Sequence, residues 1–177
     1  MMNDPLAAAK LKAEKAYNAA ADYFDAEPLG FWARYGRRTI ERLRLRRGVQ
    51  VLDVCCGTGA SALPAAQAIG PEGKVIAVDL AGDLLKLGQA KARSAGLQCV
   101  EFRRGDMTGL GFPDHHFDAV VCVFGIFFVP DMETQVAELW RMVKPGGQLA
   151  ITTWGARFWS AAYEIWLEVV RRVRTDL

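Results

Sequence analysis

The sequence has no apolar run of the roughly 18 to 20 residues that a membrane-crossing helix needs. Its N-terminal residues alternate Ala with Lys and Glu, so they do not build the apolar core of a signal peptide. It also lacks a phosphate loop, because Gly73 and Lys74 have neither the upstream glycine nor the following Ser or Thr of that motif. We therefore expect a cytoplasmic protein without a membrane span, and we exclude a P-loop nucleotide triphosphatase.

Cysteine and histidine are scarce, which limits metal and disulfide chemistry. None of the four cysteines forms a Cys-x-x-Cys pair; they are Cys55, Cys56, Cys99 and Cys122. All four fall in strands predicted to be buried, so we interpret them as reduced core thiols and expect no metal site. The two histidines, His115 and His116, stand together in a polar turn before a predicted strand. We interpret them as surface residues rather than catalytic ones.

The 177 residues are enough for one domain whose core needs no disulfide or metal. The net charge is only +2, but it is unevenly distributed: residues 31–47 contain seven arginines and a single acid, Glu41. Such a run could face an anionic substrate, a membrane surface or nucleic acid. No recognition motif accompanies it, so we favour the solvated face of a helix and expect no nucleic-acid partner.

From residue 48 onward, strand and helix patterns alternate, which predicts an α/β fold with an open parallel sheet and helices on both faces. About five strands are expected, at residues 51–55, 74–79, 97–103, 117–124 and 148–154. Helices are expected at residues 60–69, 81–95, 132–143 and 156–172. The amphipathic helix at 132–143 is predicted to bury one face, formed by Val136, Leu139, Trp140 and Val143.

Two further helices are expected before the first strand. Asp4-Pro5 is a typical helix start, and this helix should run to about residue 22. Pro28 and Leu29 with Gly30 separate it from a second helix that begins near residue 31 and ends before residue 48. A parallel sheet does not require these helices. We therefore predict that residues 1–47 form a helical lid over a core of residues 48–177.

Residues 51–59, VLDVCCGTG, predict a buried strand that enters a glycine turn. Gly57 and Gly59 allow the backbone to turn sharply and let a ligand lie against bare main chain. The amides in the first turn of the following helix point back at that ligand. The sequence therefore predicts a nucleotide pocket here.

Three other predicted strands end in residues that suit the same pocket, because ligands of open α/β sheets lie over the carboxyl ends of the strands. Asp79 ends the second strand, Asp106 follows the third, and Phe124-Gly125 ends the fourth. An ionised carboxylate only accepts hydrogen bonds, so Asp79 suits the two hydroxyls of a ribose. Asp106 could accept from the exocyclic amine of adenine in the same way.

Taken together, these motifs resemble those of class I S-adenosylmethionine-dependent methyltransferases, whose fold is Rossmann-like. Residues 51–59 resemble the first motif, Val78-Asp79 the acidic second motif, and residues 105–107 the adenine-side motif, while residues 144–147, KPGG, resemble the turn before strand five. Within this class, residues 53–59 and 124–126 resemble the ubiquinone and menaquinone biosynthesis methyltransferases. Phe127-Phe128 replaces the Arg-Asn pair that those enzymes carry at this point.

The resemblance implies transfer of the sulfonium methyl group of S-adenosyl-L-methionine to a small-molecule acceptor by in-line displacement, with S-adenosyl-L-homocysteine as product. The cofactor-binding residues that it implies are Asp53, Cys55, Gly57, Thr58, Gly59, Asp79, Leu80, Gly105, Asp106, Met107 and Phe124. Tyr17 and Phe24 of the lid could cover the sulfonium, since aromatic faces attract cations. The cofactor is already activated, so the protein mainly aligns the reactants, and no catalytic residue can be named.

Two alternatives remain open. Gly57-x-Gly59-x-x-Ala62, with Asp79 at the expected spacing, also fits the dinucleotide fingerprint of an NAD(P)-dependent oxidoreductase. Asp53 argues against it, because such enzymes normally keep the middle of this strand apolar. The other alternative is a module that binds the cofactor without a complete acceptor site.

The class usually has two more strands after the fifth, whereas this sequence ends at residue 177. We therefore expect either a truncated version of a longer protein or a natural minimal form. Strand five would then be an exposed sheet edge, and such edges pair with other chains. This predicts a homo-oligomer that forms through the edge of strand five or through the last helix.

Overall fold

The computed structural model describes residues 5–26, 30–155 and 160–173. Their α-helices are α1 (Pro5–Ala19), α2 (Phe31–Leu43), α3 (Ala62–Ile69), α4 (Gly82–Ser94), α5 (Met132–Arg141) and α6 (Ser160–Val173). The strands are β1 (Gln50–Val54), β2 (Lys74–Asp79), β3 (Val100–Arg104), β4 (Phe117–Val123) and β5 (Val143–Thr152). The predicted helix signals at Asp4, Pro28 and Leu29, and the first residues of the last predicted helix, lie outside the described residues.

The five strands form one parallel sheet in the order β3-β2-β1-β4-β5. The order reverses beside β1, because β2 pairs with one side of β1 and β4 with the other. The connections leave β1 and β4 in opposite directions, so they open a crevice over the carboxyl ends of these strands. The predicted open parallel α/β sheet is confirmed.

Side chains of β1 alternate between two hydrophobic clusters, one on each face of the sheet. Val51 belongs to the cluster that contains residues of α2 and α3, whereas Leu52 and Val54 belong to the cluster that contains Leu139 of α5. Successive strand residues point to opposite faces, so Asp53 lies on the same face as Val51. Asp53 is therefore a carboxyl group on the α3 side of a strand that is covered on both faces.

Helix α2 packs on the sheet and beside α3. Ile40 and Leu43 are buried in the core beside α3, and Thr39 shares a hydrogen bond of 2.6 Å with Thr152 of β5. The seven arginines of residues 31–47 are all exposed, but only four of them lie on the solvated face of α2, because the helix ends at Leu43 and Arg44, Arg46 and Arg47 follow it. Among the described residues, Arg47 alone of these seven forms an ion pair, with Glu72.

Three predictions about individual residues were wrong. The cysteines are not all in strands: only Cys122 is, while Cys55 and Cys56 lie in the turn after β1 and Cys99 precedes β3. Trp140 is 56% exposed, because α5 buries Leu139 instead. Strand β5 begins at residue 143 rather than 148, with a register shift where residues 144–147 cross β4.

The KPGG sequence at residues 144–147 has a structural role at this register shift rather than a role in ligand binding. Lys144 forms an ion pair of 2.9 Å with Asp118, whose carboxylate also accepts a hydrogen bond from the backbone amide of Gln50. A Cβ atom on Gly147 would lie 2.7 Å from the carbonyl oxygen of Asp118, so the chain needs glycine there. This motif fastens β5 at the amino-terminal edge of the sheet, away from the crevice.

We expect Gly36→Ala to destabilise the protein although Ala is the better helix former. The new Cβ atom would lie 2.3 Å from the carbonyl oxygen of Ala60, which is backbone and cannot rotate away. Overpacking of this kind costs about 1 to 3 kcal/mol, more than the helix-propensity gain of about 1 kcal/mol. Urea unfolding measures the difference. The control Gly82→Ala meets no atom within 4 Å and should leave the free energy of unfolding the same or slightly higher. Equal stability of both variants would contradict the close packing of α2 on α3.

Candidate functional site

A pocket lies over the carboxyl ends of the strands, between the sheet and helix α1. Its floor is formed by the residues that follow β1, β2, β3 and β4, and its roof by one face of α1. The pocket contains most of the predicted site residues: Tyr17, Phe24, Cys55, Gly57, Asp79, Leu80, Gly105, Asp106, Met107 and Phe124. Asp53, Thr58 and Gly59 do not line it.

The Asp79 carboxylate holds the glycine turn in place. One carboxylate oxygen accepts a hydrogen bond of 2.8 Å from the amide of Gly57, and the other accepts one of 2.9 Å from the amide of Ala81. Burial raises the pKa of Asp79, while these amide hydrogen bonds lower it. Each oxygen keeps a lone pair, so this carboxylate can still accept from hydroxyl groups of a ligand.

The three residues of the glycine turn have different surroundings. Gly57, at φ +53°, lines the pocket beneath the ring of Phe24. Gly59, at φ +90°, packs against side chains behind the turn. The hydroxyl of Thr58 donates a hydrogen bond of 2.8 Å to Asp25, which also pairs with Lys91. The side chain of Thr58 therefore ties the turn to the chain that follows α1 instead of facing the pocket.

Asp53 is fully buried, and only one of its two carboxylate oxygens has a hydrogen-bond partner among the described residues. Its Oδ2 atom accepts a hydrogen bond of 2.7 Å from Ser61, which does line the pocket, whereas Oδ1 has no partner among the described residues. The pKa of Asp53 is raised to about 7, chiefly by burial; the Ser61 hydrogen bond lowers it, the charge of Asp79 raises it, and a backbone hydrogen bond from Ala62 lowers it. A buried carboxyl group behind the pocket wall can act on a cationic group in the pocket through Ser61.

Two neighbouring strands end in residues with strained backbones. Cys55 after β1 has φ +58° and Phe124 after β4 has φ +56°, a region that costs a non-glycine residue about 1 to 3 kcal/mol. Both residues line the pocket. Phe124 is held by aromatic contacts: Trp154 stacks on it at 4.3 Å between centroids, and Trp32 meets it edge-on at 5.2 Å.

The thiol of Cys55 is not a candidate nucleophile. The hydrogen bond with Cys122, together with burial, raises the pKa of the Cys55 thiol well above its usual range. A Cβ atom on Gly125 would lie 2.8 Å from the sulfur of Cys55 and 2.9 Å from that of Cys122, so both thiols pack tightly. Cys55 therefore lines the pocket as a protonated thiol.

Helix α1 carries charged residues to the pocket that the sequence interpretation missed. Lys10 forms an ion pair of 2.6 Å with Asp106, and Glu14 forms one with Arg104, the last residue of β3. The side-chain oxygen of Asn18 accepts a hydrogen bond of 2.9 Å from the amide of Asp83. Lys10 and Glu14 are spaced four residues apart, and Tyr17 follows after three more, so helical periodicity could have assigned all three to one face.

Tyr17 and Phe24 meet at the roof of the pocket. Their ring centroids are 5.9 Å apart, and Phe128 approaches Tyr17 edge-on at 5.7 Å. Burial and then the nearby Asp79 carboxylate raise the pKa of Tyr17, so its phenol is protonated. Trp32, Phe128 and Val129 were not predicted to belong to the site; they extend its apolar wall.

The arrangement offers binding and orientation rather than acid-base chemistry. Nδ1 of His115 donates a hydrogen bond of 2.9 Å to the carbonyl oxygen of Val143, and His116 stacks on Phe112, both at the amino-terminal edge of the sheet. The two histidines therefore lie apart from the pocket. In the described part of the chain, no group of three or more His, Cys, Asp or Glu side chains is placed to hold a metal ion. No helix of that part is long and apolar enough to cross a membrane.

Comparison with known proteins gives consistent results. The model of the ubiE/COQ5 methyltransferase family matches residues 14–173. A demethylmenaquinone methyltransferase of Listeria welshimeri is 42% identical over 117 residues, which are 66% of this chain and 50% of that protein. One from Geobacillus stearothermophilus is 40% identical over 114 residues, 64% of this chain and 49% of that protein. The chain thus spans about half the length of the curated relatives it matches.

Solved structures share the fold. A SAM-dependent methyltransferase from Aquifex aeolicus superimposes with a TM-score of 0.66 at 25% identity and covers 77% of this chain and 72% of its own. The cyclase SpnF gives a TM-score of 0.61 at 30% identity and covers 68% of this chain and 44% of its own.

The buried carboxyl of Asp53 predicts an unusual dependence of stability on pH. Its pKa is higher in the folded state, about 7, than in the unfolded chain, about 3.9, so the folded state binds the extra proton between these values. The free energy of unfolding should therefore fall as the pH rises from 4 to 7, by about 4 kcal/mol if no other group compensates, and then level off. Asp53→Asn should remove this fall in urea unfolding at pH 5 and pH 8. The exposed Asp22→Asn serves as control. The same pH dependence in both variants would mean that Asp53 is not the titrating group.

Proposed function

Because the chain belongs to the ubiE/COQ5 methyltransferase family, we propose that it transfers the sulfonium methyl group of S-adenosyl-L-methionine to a small-molecule acceptor. One observation carries this proposal: the acceptors at Asp79 and Asp106 and the aromatic wall at Phe124 line the same pocket, beside a glycine turn that Asp79 itself fixes. An adenosyl sulfonium compound needs these groups together, since it combines hydroxyl donors, an exocyclic amine and a cation.

The pocket residues fit such a cofactor. Both oxygens of Asp79 keep lone pairs for the ribose hydroxyls. Ser61 lines the pocket, and its hydroxyl, which donates to the buried Asp53, can accept from the ammonium group of the methionyl end. The bare main chain of Gly57 allows the ligand to approach closely. Phe124, Tyr17 and Phe24 present aromatic rings to the cation. When bound, the cofactor supplies an activated methyl group; the chain binds it, orients it and covers it with α1.

We further propose that the acceptor is an uncharged, apolar aromatic molecule. The charged residues of the pocket, Lys10, Glu14, Asp79 and Asp106, belong to α1 and to the ends of β2 and β3. The other side, next to β4, contains Trp32, Phe124, Phe128 and Val129. The names of the relatives, demethylmenaquinone methyltransferases, point to an acceptor of the same kind. In-line displacement would then take place against the aromatic wall.

The rival functions have weaker support. The SpnF comparison shows only that this fold also occurs in a cyclase, since fold alone does not imply methyl transfer; it does not favour a module that binds the cofactor without a complete acceptor site. An NAD(P)-dependent oxidoreductase has only the glycine fingerprint in its favour. The cytoplasmic location, the lid and core division at residue 47 and the named site residues remain predictions of the same proposal.

Binding and transfer can be tested together. In a thermal-shift comparison we expect S-adenosyl-L-methionine and S-adenosyl-L-homocysteine, but not NAD or NADP, to stabilise the protein, since a ligand stabilises the state that it binds. Asp79→Asn should weaken S-adenosyl-L-homocysteine in calorimetry by about tenfold or more, because it loses a charged acceptor. Asp83→Asn removes a nearby acid outside the pocket and should bind S-adenosyl-L-homocysteine normally.

Methyl transfer to a demethylated naphthoquinol is followed by mass spectrometry. Cofactor binding without transfer to this or other aromatic acceptors would favour the binding module, and stabilisation by NAD alone would overturn the proposal.

We also propose that the protein forms homo-oligomers through β5 or α6. The edge strand β3 is protected by Glu101, Arg103 and Arg104, whereas residues 146–154 of the opposite edge carry no charge. Helix α6 leaves Tyr163, Trp166 and Val169 more than half exposed.

Sedimentation velocity should therefore give at least the mass of two chains. Trp166→Glu should lower that mass if α6 forms the contact and leave it unchanged if β5 does. A monomer at high protein concentration would contradict the proposal.

A further inference from the structure

Lys10 of α1 pairs with Asp106, the residue to which the proposed function assigns the amine of adenine. Its Nζ atom lies 2.6 Å from Oδ2 of Asp106 and 2.7 Å from the hydroxyl oxygen of Thr108. Lys10 and Asp106 both line the pocket. Three residues from two elements distant in sequence therefore form one hydrogen-bonded cluster at the pocket wall.

The hydrogen bonds of this cluster leave one acceptor position and one donor position unused. Oδ1 of Asp106 accepts from both the amide and the hydroxyl of Thr108, at 2.9 Å each, so its two lone pairs are used. Oδ2 accepts from Lys10 and keeps one lone pair. Lys10 donates two of its three N–H groups, to Asp106 and to Thr108, and keeps one. The cluster thus retains one acceptor and one donor, on atoms that are 2.6 Å apart.

An adjacent acceptor and donor match the edges of adenine. Its exocyclic amine donates, while the ring nitrogen beside it accepts, on both edges that include this amine. Hypoxanthine and guanine carry an oxygen in place of the amine and present an acceptor where Asp106 also offers an acceptor. We propose that Lys10 reads the base together with Asp106: Asp106 accepts from the amine and Lys10 donates to the neighbouring ring nitrogen.

The position of Lys10 on α1 links this recognition to the lid. Glu14 pairs with Arg104 and Asn18 caps the amide of Asp83, so the same helix face that carries Lys10 is fastened to the ends of β3 and α4. These contacts are partly exposed, and such pairs each contribute only about 0 to 1 kcal/mol. The lid can therefore open for entry of the cofactor. The donor reaches the base only when α1 is closed, so an adenine ligand stabilises the closed lid more than another purine does.

The charges of the cluster are consistent with this role. Although burial alone would raise the pKa of Asp106, the hydrogen bonds from Lys10 and Thr108 lower it overall, so the carboxylate is ionised and acts as an acceptor. The ammonium of Lys10 needs this counter-ion beside the uncharged base. Neither residue has to move far to bind a ligand, because each already has a free hydrogen-bonding position.

The test compares calorimetric affinities for S-adenosyl-L-homocysteine and its deaminated analogue, S-inosyl-L-homocysteine. The wild-type protein should prefer the adenine ligand by about tenfold to hundredfold, the discrimination of one paired donor and acceptor. Lys10→Met should reduce this preference by about tenfold. Lys15→Met, the loss of an exposed lysine on the same helix, should preserve it. Arg104→Gln, which breaks the contact with Glu14 of α1, should weaken the adenine ligand more than its deaminated analogue, because only the adenine ligand gains the Lys10 hydrogen bond when α1 is closed.

The inference rests on the proposed function, but the two can fail separately. If the wild-type protein binds neither ligand, both fail. If it binds the adenine ligand and the ratio in Lys10→Met equals the wild-type ratio, only the role of Lys10 is overturned. Thermal unfolding without ligand checks that Lys10→Met is folded; if it is not, Lys10→Gln takes its place with the same expected loss of preference.

Discussion

The hydrogen bonds from Gly57 and Ala81 to the Asp79 carboxylate hold together the two turns at the centre of the pocket. They join the turn after β1 to the turn after β2, the two loops between which a nucleotide would lie. Without this clamp the glycine turn, with φ of +53° and +90° at its glycines, would have many accessible conformations. A single carboxylate therefore orders the main chain and still has free lone pairs toward the ligand.

Two residues with strained backbones lie beside the hydrogen bonds of Asp79. Cys55 and Phe124 adopt left-handed backbone conformations at the ends of adjacent strands, and each is fixed by its surroundings rather than by its own preference. For Phe124 the surroundings are the aromatic rings of Trp32 and Trp154; for Cys55 they are the thiol of Cys122 and the close approach of Gly125. Strain that persists in this way is common where a protein holds a ligand in one orientation. Here it aims the ring of Phe124 into the pocket.

Charge and apolar surface are divided between the two sides of the pocket. The polar side, at α1, β2 and β3, can bind a charged and hydroxylated cofactor, whereas the aromatic side at β4 suits an apolar acceptor. Helix α1 contributes Lys10 and Glu14 to the polar side, where they pair with Asp106 and Arg104.

The sequence by itself determined the parallel α/β sheet, most element positions, and the meeting of Gly57, Asp79, Asp106 and Phe124 over one sheet edge. These follow from local patterns: apolar runs indicate buried strands, glycine spacing indicates a turn, and the ends of parallel strands share an edge. Only the tertiary structure decided that Lys10 pairs with Asp106, that Thr58 turns toward Asp25, that Trp140 is exposed and that β5 begins at residue 143. Such features depend on which side chains distant in sequence come into contact, and a local period of two or 3.6 residues contains no information about that.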